Sequence, residues 1–223
     1  MARLLHFVSI VFLLCSCNYS NKSADNTMPQ RTEDLKAVQE EPAQKQETTA
    51  SDSTDFKAAF ELFFSALQAA DTATINQFVH PQHGLWIIEQ PGALPKMTFV
   101  KNINSFKRQY QDRSFLTIKD EVKTCDLKQE AWPTFDCADV DYDAGTSGFS
   151  KDGCFVAGPE RFVKSGYWNY ADLPPAQIKQ IEATLPLVQK SVLHTATSFE
   201  FHFGFIDGRW RLLFAKLIYP CSA

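Results

Sequence analysis

No apolar stretch of this 223-residue chain reaches the roughly twenty residues that a helix needs to cross a bilayer. Signatures of phosphate and metal chemistry are missing as well: there is no G-x-x-x-x-G-K-[ST] loop, no G-x-G-x-x-G, no H-E-x-x-H and no G-x-S-x-G. Positive charge is in deficit, with 22 basic against 26 acidic side chains and a formal net charge of -4. That balance excludes the basic stripe through which a protein holds nucleic acid and disfavours an anionic headgroup surface. No internal repeat is visible.

What the chain does have begins at its start. Arg3 is followed by a short apolar run from Leu4 to Leu14, interrupted by His6 and Ser9. A basic start, a brief apolar segment and a small residue before a processing point are the marks of an export signal over 1-16. The run closes on Leu14-Cys15-Ser16-Cys17. These four residues resemble the lipobox of bacterial lipoproteins, in which a Leu stands three positions before a cysteine that becomes the first mature residue. Cys17 fits the pattern, and Cys15 does not, because bulky Leu14 precedes it. The resemblance implies a diacylglycerol thioether on Cys17 and an acylated, for example palmitoylated, amine, and acyl chains anchor at about 0.8 kcal/mol per buried methylene. The competing reading is an ordinary signal peptide cut elsewhere.

From Asn18 to Ser53 the composition turns to Asn, Ser, Asp, Glu, Gln, Lys, Thr and Pro. Such a segment cannot bury enough apolar surface to offset its ordering entropy, so 17-53 is expected to be a lipid-anchored, disordered linker with a reach on the order of 30 Å. Residues 54-223 then form a single domain and carry all four Trp.

The domain reads as α+β. Phe56, Ala59, Phe60, Phe63, Phe64, Leu67 and Ala70 recur at helical spacing behind a capping Thr54 or Asp55, and Asp71 opens a second short helix stopped by Pro81. A strand is expected in "GLWIIE", a third helix in "FVKNINSFKRQY" with Phe99, Ile103, Phe106 and Tyr110 on one side, and a strand in "SFLTIKDEVKTC". Past a polar return through "TFDCADVDY" and a loop over 143-153, "CFVAG" is expected to be a strand and Pro174-Pro175 to open a helix that Pro186 ends. Phe199, Phe201, Phe203 and Phe205 alternate with Glu200, His202 and Gly204; Asp207-Gly208 is a hairpin turn, and the return strand sets Trp210, Leu212 and Phe214 on one side.

Amphipathic N-terminal helices packed on a curved antiparallel sheet that ends in a C-terminal hairpin, with "LQAADTATINQF" and "DGRWRLL" as local patterns, are similar to the nuclear-transport-factor-two-like cone. The resemblance implies a cone-shaped pocket.

Export puts Cys125, Cys137, Cys154 and Cys221 where disulfides persist. Of the three possible pairings, Cys125 with Cys137 and Cys154 with Cys221 is favoured, because the first pair would flank a polar loop between adjacent strands. The acidic stretch holding Asp139, Asp141, Asp143 and Asp152 fails the calcium-loop register at its glycine and terminal glutamate positions. His80 and His83 lack a third ligand, so no metal and no cofactor is expected. The preferred binding surface is aromatic: Trp86, Tyr167, Trp168 and Tyr170, with His202 beside them. The rival view is that these rings cap the core.

The functional expectation is a membrane-anchored lipoprotein of the bacterial cell envelope, on its periplasmic side or surface. Its domain is a noncatalytic module for a small molecule, glycan or protein, with no nucleic acid as partner. The alternative is a small hydrolase or isomerase in which Glu200, His202, His80 or His83 converge as acid and base. Replacing Cys17 with Ser is expected to move the protein from the membrane to the soluble fraction on cell fractionation; retention in the membrane would refute the anchor.

Overall fold

The computed structural model describes residues 55-109, 111-141 and 143-221. The expected signal peptide, Cys17, the linker and the side chain of Tyr110 lie outside the described residues. Helix α1 (Phe56–Gln68) starts where the Asp55 carboxylate accepts the Lys57 amide at 3.0 Å, and it buries Ala59, Phe60, Phe63, Phe64, Ala66 and Leu67. Helix α2 (Thr72–Phe78) is capped by Asp71, which accepts the Ala73 and Thr74 amides and the Thr74 hydroxyl. Those hydrogen bonds hold the Asp71 carboxyl below its usual range.

Among the described residues nine strands follow: β1 (Leu85–Glu89), β2 (Lys96–Val100), β3 (Leu127–Lys128), β4 (Phe135–Asp141), β5 (Thr146–Phe149), β6 (Cys154–Ala157), β7 (Lys190–His194), β8 (Phe199–Ile206) and β9 (Arg209–Lys216). Seven of them form one sheet in the order β2-β1-β9-β8-β7-β6-β3, and β4 with β5 makes a separate hairpin. The α+β class holds: the sheet is mostly antiparallel, with β1–β9 and β3–β6 as its parallel pairs, and it is not strongly curled. Between β6 and β7 lie helices α3 (Glu160–Ser165) and α4 (Pro175–Thr184), the latter opened by Pro175 as expected and followed by a single 3-10 turn at Leu185–Leu187.

Two local expectations fail for the same reason: an apolar spacing of three or four residues is also met by short turns. Residues 96-100 are an edge strand in register with β1, and only Ile103–Ser105 turns, so Phe99 faces one core while Ile103 and Phe106 enter the other. The stretch 115-120 is a 3-10 helix instead of a strand; Phe115 and Ile118 sit one turn apart and are buried, and the Thr117 hydroxyl bonds the Ser114 carbonyl at 2.8 Å. Part of the expected loop 143-153 is strand β5.

Both faces of the sheet are covered. One face carries Leu85, Ile87, Val192, Phe199, Phe201, Phe203 and Leu212 and packs on α1, α2 and the 3-10 turns. Phe63 meets Phe78, Phe201 and Phe203 edge-on with ring centroids 5.3 to 5.5 Å apart, the arrangement that aromatic quadrupoles favour. The opposite face carries Trp86, Ile88, Leu213 and Phe214 and packs on α3, α4 and the 3-10 turn Tyr167–Asn169. A bulge makes this possible: His202 pairs with Phe214 and Phe203 with Leu212, leaving Leu213 extra. Trp210 and Leu212 therefore enter the first core while Phe214 enters the second, which corrects their placement on one side. Gly204 is required on β8, because a Cβ there would collide with the Leu187 carbonyl of the crossing turn.

The favoured disulfide pairing is also corrected. Cys125 bonds Cys154, and Cys137 bonds Cys221. Leu127 and Cys154 are register partners in β3 and β6, so Cys125, two residues upstream, is delivered to Cys154 by strand pairing that the sequence did not reveal.

Phe63→Ala removes a fully buried ring from the middle of the first core and is expected to cost about 3–5 kcal/mol, measured by denaturant unfolding. The same change at exposed Tyr170 is expected to shift stability by less than about 0.5 kcal/mol.

Candidate functional site

The aromatic residues singled out from the sequence do come together, but most of them form core. Trp86 and His202 are wholly buried and Trp168 nearly so, with Tyr167 packed against the same cluster. The Phe162 ring of α3 stacks on the His202 imidazole at a centroid distance of 3.7 Å. Tyr170 alone points outward, 62% exposed. Trp168 also borders a shallow apolar groove of about 430 Å³ with Pro159, Val163 and Pro186.

Beneath these rings runs a closed string of polar groups on β7, β8 and β9. The Ser191 hydroxyl lies 2.8 Å from His202 Nδ1, His202 Nε2 is 3.7 Å from Glu200 Oε2, and Lys216 Nζ donates to Glu200 Oε1 at 2.5 Å. The Lys216 ammonium also sits 5.6 Å from the Tyr167 ring centroid. Burial opposes the charge on Lys216, but Glu200 and Tyr167 outweigh it and hold its pKa above the ordinary range. Burial, reinforced by nearby Lys216, keeps His202 neutral, well below the ordinary histidine value of 6.5. Serine, histidine and glutamate are the residue types of a nucleophilic relay. Here, however, Ser191 is at zero exposure in mid-strand and the imidazole is roofed by Phe162, so the string has no approach for a substrate.

The other expected acid–base groups do not converge with it. His80 Nδ1 accepts the Gln82 and His83 amides at 3.1 Å and its Nε2 lies 3.4 Å from Asp207 Oδ2, so it caps a turn beside the β8–β9 connection. Burial and the neighbouring His80 lower the His83 pKa. Asp141 accepts the Asp143 and Ala144 amides in an Asx turn. Among the described residues no three His, Cys, Asp or Glu side chains are grouped to hold a metal.

A larger concave site lies elsewhere. A cleft of about 1070 Å³ opens beyond the carboxyl ends of the parallel neighbours β1 and β9, between the segment Gln90 to Ala93 and the segment Leu217 to Cys221. Carboxyl ends of parallel strands are a recurrent place for crevices, since the chains leaving them diverge. Its floor is built around Arg108, only 5% exposed. The guanidinium places Nε 3.5 Å from Glu89 Oε1, donates from Nη1 to Glu121 Oε1 at 3.1 Å and from Nη2 to the Tyr219 hydroxyl at 3.0 Å. Tyr219 closes the ring by donating to Glu121 Oε2, and Glu89 Oε2 accepts the Gln109 amide at 3.1 Å.

Burial pushes the Glu89 carboxyl above its ordinary range against the pull of Gln109 and Arg108. Burial and the bond to Glu121 push the Tyr219 phenol up to about 12. Burial opposes the Arg108 charge, but Tyr219 and Glu121 outweigh it and raise its pKa further.

No protein family, curated protein or solved structure matches this chain. The cleft therefore stands on its own geometry. Sequence reasoning missed all four floor residues. The available signal was Glu89, a carboxylate ending the otherwise apolar strand "LWIIE", which demands a buried cation as partner.

Two of the buried imidazoles give this protein a signed pH dependence. His202 and His194 are both held by burial below the ordinary histidine value of 6.5. The unfolded chain thus binds more protons below about 6.5, and stability present above that pH is lost as pH falls toward the folded values. Glu89, whose pKa is raised, acts in the opposite sense at lower pH. Denaturant midpoints are expected to fall between about pH 6.5 and 5, with a smaller fall in His202→Gln, which keeps an amide for Ser191.

Proposed function

We propose that this chain is a bacterial cell-envelope lipoprotein, anchored through Cys17, whose folded part is a noncatalytic binding module for a small molecule, glycan or protein. The cleft floored by Arg108 is its binding site. One observation carries this reading: the charges of the floor are paired with one another, with Arg108 Nε in ion-pair but not hydrogen-bond reach of Glu89. Arg108 is committed to Glu89, Glu121 and Tyr219, and Glu89 to the Gln109 amide. The floor is a preset polar surface with no uncommitted acid and base aimed at one point. Around it stand Pro91, Ala93, Leu217, Ile218 and Pro220, giving the mix of apolar wall and few fixed polar groups typical of ligand sites. Its volume suits a ligand of drug size or somewhat larger.

The likeness to the nuclear-transport-factor-two-like cone belongs to the same proposal. It is supported by α1 and α2 preceding a sheet whose centre is the β8–β9 hairpin with its Gly208, Trp210, Leu212 pattern. A second reading, a small envelope hydrolase or isomerase, draws on the raised Glu89 carboxyl as a general acid.

Capture of small molecules from envelope extracts by the intact mature protein, read by mass spectrometry, tests both. Ala93→Trp, at an exposed position in the cleft wall, is expected to lower capture about tenfold or more while leaving the unfolding midpoint within about 0.5 kcal/mol. Capture indifferent to Ala93→Trp would move the site off the cleft. Turnover of a captured compound that is lost in Glu89→Gln would select the enzyme reading.

A further inference from the structure

The two disulfides differ in what they hold and in how a reagent reaches them. Cys154 is at zero exposure inside the first core, and its bridge to Cys125 joins segments that β3 and β6 already pair side by side. Cys137 and Cys221 are both exposed. Cys137 lies on β4, in a hairpin that pairs with no strand of the main sheet and whose β4 residues are largely exposed. Cys221 ends the segment 217-221 that forms one wall of the cleft and carries Tyr219 onto Glu121 and Arg108. The bridge, with Cα atoms 5.8 Å apart, spans a sequence separation of 84 residues. It ties a peripheral hairpin to the wall of that cleft.

We propose that Cys137–Cys221 is a redox latch on the cleft: a dithiol opens it while Cys125–Cys154 stays closed, and opening lets the hairpin β4–β5 and the segment 217-221 move away from the floor. The latch rests on the reading of the cleft as the binding site. A thiolate of the dithiol attacks one bridge sulfur, forming a mixed disulfide and releasing the other cysteine as a thiol. The second thiol of the donor resolves the mixed disulfide. The donor ends as a disulfide and the bridge as two thiols, with two electrons and two protons transferred. Rate depends on access, which separates the two bridges. In an oxidising compartment the latched state is the resting one.

The test uses the full chain titrated with dithiothreitol, followed by alkylation and peptide mass mapping. Cys137 and Cys221 are expected to be alkylated at donor concentrations that leave Cys125 and Cys154 bridged. Hydrogen exchange in 135-149 and 217-221 is expected to rise about tenfold or more, while β8 and β9 keep their protection. The Tyr219 phenol, read by ultraviolet difference against Tyr219→Phe, is expected to titrate nearer the ordinary tyrosine value of 10.0 than in the oxidised protein. Cys137→Ser/Cys221→Ser is expected to reproduce the exchange and titration changes without reductant. Simultaneous opening of both bridges, or a selectively opened bridge with unchanged exchange and Tyr219 titration, would overturn the latch. None of these readouts needs a ligand, so the latch can fail while ligand capture succeeds, and the reverse.

Discussion

The constraint on which the rest depends is that the central hairpin is buried on both faces. From Phe199 to Gly204 every residue of β8 is buried, and so are Leu212 to Ala215 of β9. A strand buried on one face needs only alternation, whereas one buried on both must find partners for whatever its second face carries. The first face of β8 is phenylalanine against α1. The second holds Glu200 and His202, which are tolerable there only because Lys216, Ser191 and Tyr167 are brought to them. The bulge at Leu213 serves the same end: it returns Phe214 to the second core beside Trp86 and Phe162.

The two polar clusters are built by the same strands but do different work. Ile88 is the register partner of Lys216, so Glu89, the next residue on β1, emerges where β9 also leaves the sheet. One residue decides whether a carboxylate meets the closed string or the cleft. In the closed string the histidine is neutral and the one ion pair is intact. In the cleft, two carboxylates share one guanidinium and a phenol, and the site remains open to solvent at its mouth. Breaking either set by deleting one partner leaves a buried charge unanswered, a loss of about 3–5 kcal/mol by general experience. Both sets are paired within the fold, and what distinguishes them is access.

Elements whose physics is local were legible in the sequence. Asp55 and Asp71 announce their helices, Pro175 and Pro186 bracket α4, and the Phe alternation with Asp207-Gly208 gives the hairpin. Spacing misled where strand and turn satisfy the same pattern, as at Phe99, Ile103 and Phe106. Strand β7 escaped notice, because "KSVLH" mixes a charge, a serine and a histidine among its apolar residues. Those polar residues are the partners of β8 and the loop before β3, a fact that exists only in three dimensions. The cleft was illegible for a like reason: Glu89, Arg108, Glu121 and Tyr219 are far apart in sequence, and no spacing rule joins them. The aromatic residues were found as a cluster, and of the two readings open for them, binding surface or cap of the core, burial of Trp86 and Trp168 goes with the second while Tyr170 stays exposed.

The buried Glu200–Lys216 pair raises the question of why an ionic group persists where a leucine would pack. Its net contribution to stability is small or negative against an apolar replacement of the same shape. Its contribution to register is not. A one-residue slip of β8 against its neighbours would turn Glu200 and His202 into the phenylalanine core around Phe60 and Phe63, where no cation and no hydroxyl stands opposite. The phenylalanines would move at the same time to the face covered by α3. Flat, continuous apolar strands slip easily; a strand with one carboxylate and one imidazole on its second face has a single register in which both are answered. The correct register also delivers Leu217 to the Ile88 carbonyl at 2.7 Å and Tyr219 to Arg108. In this fold the closed string is what aligns the chain so that the cleft can exist.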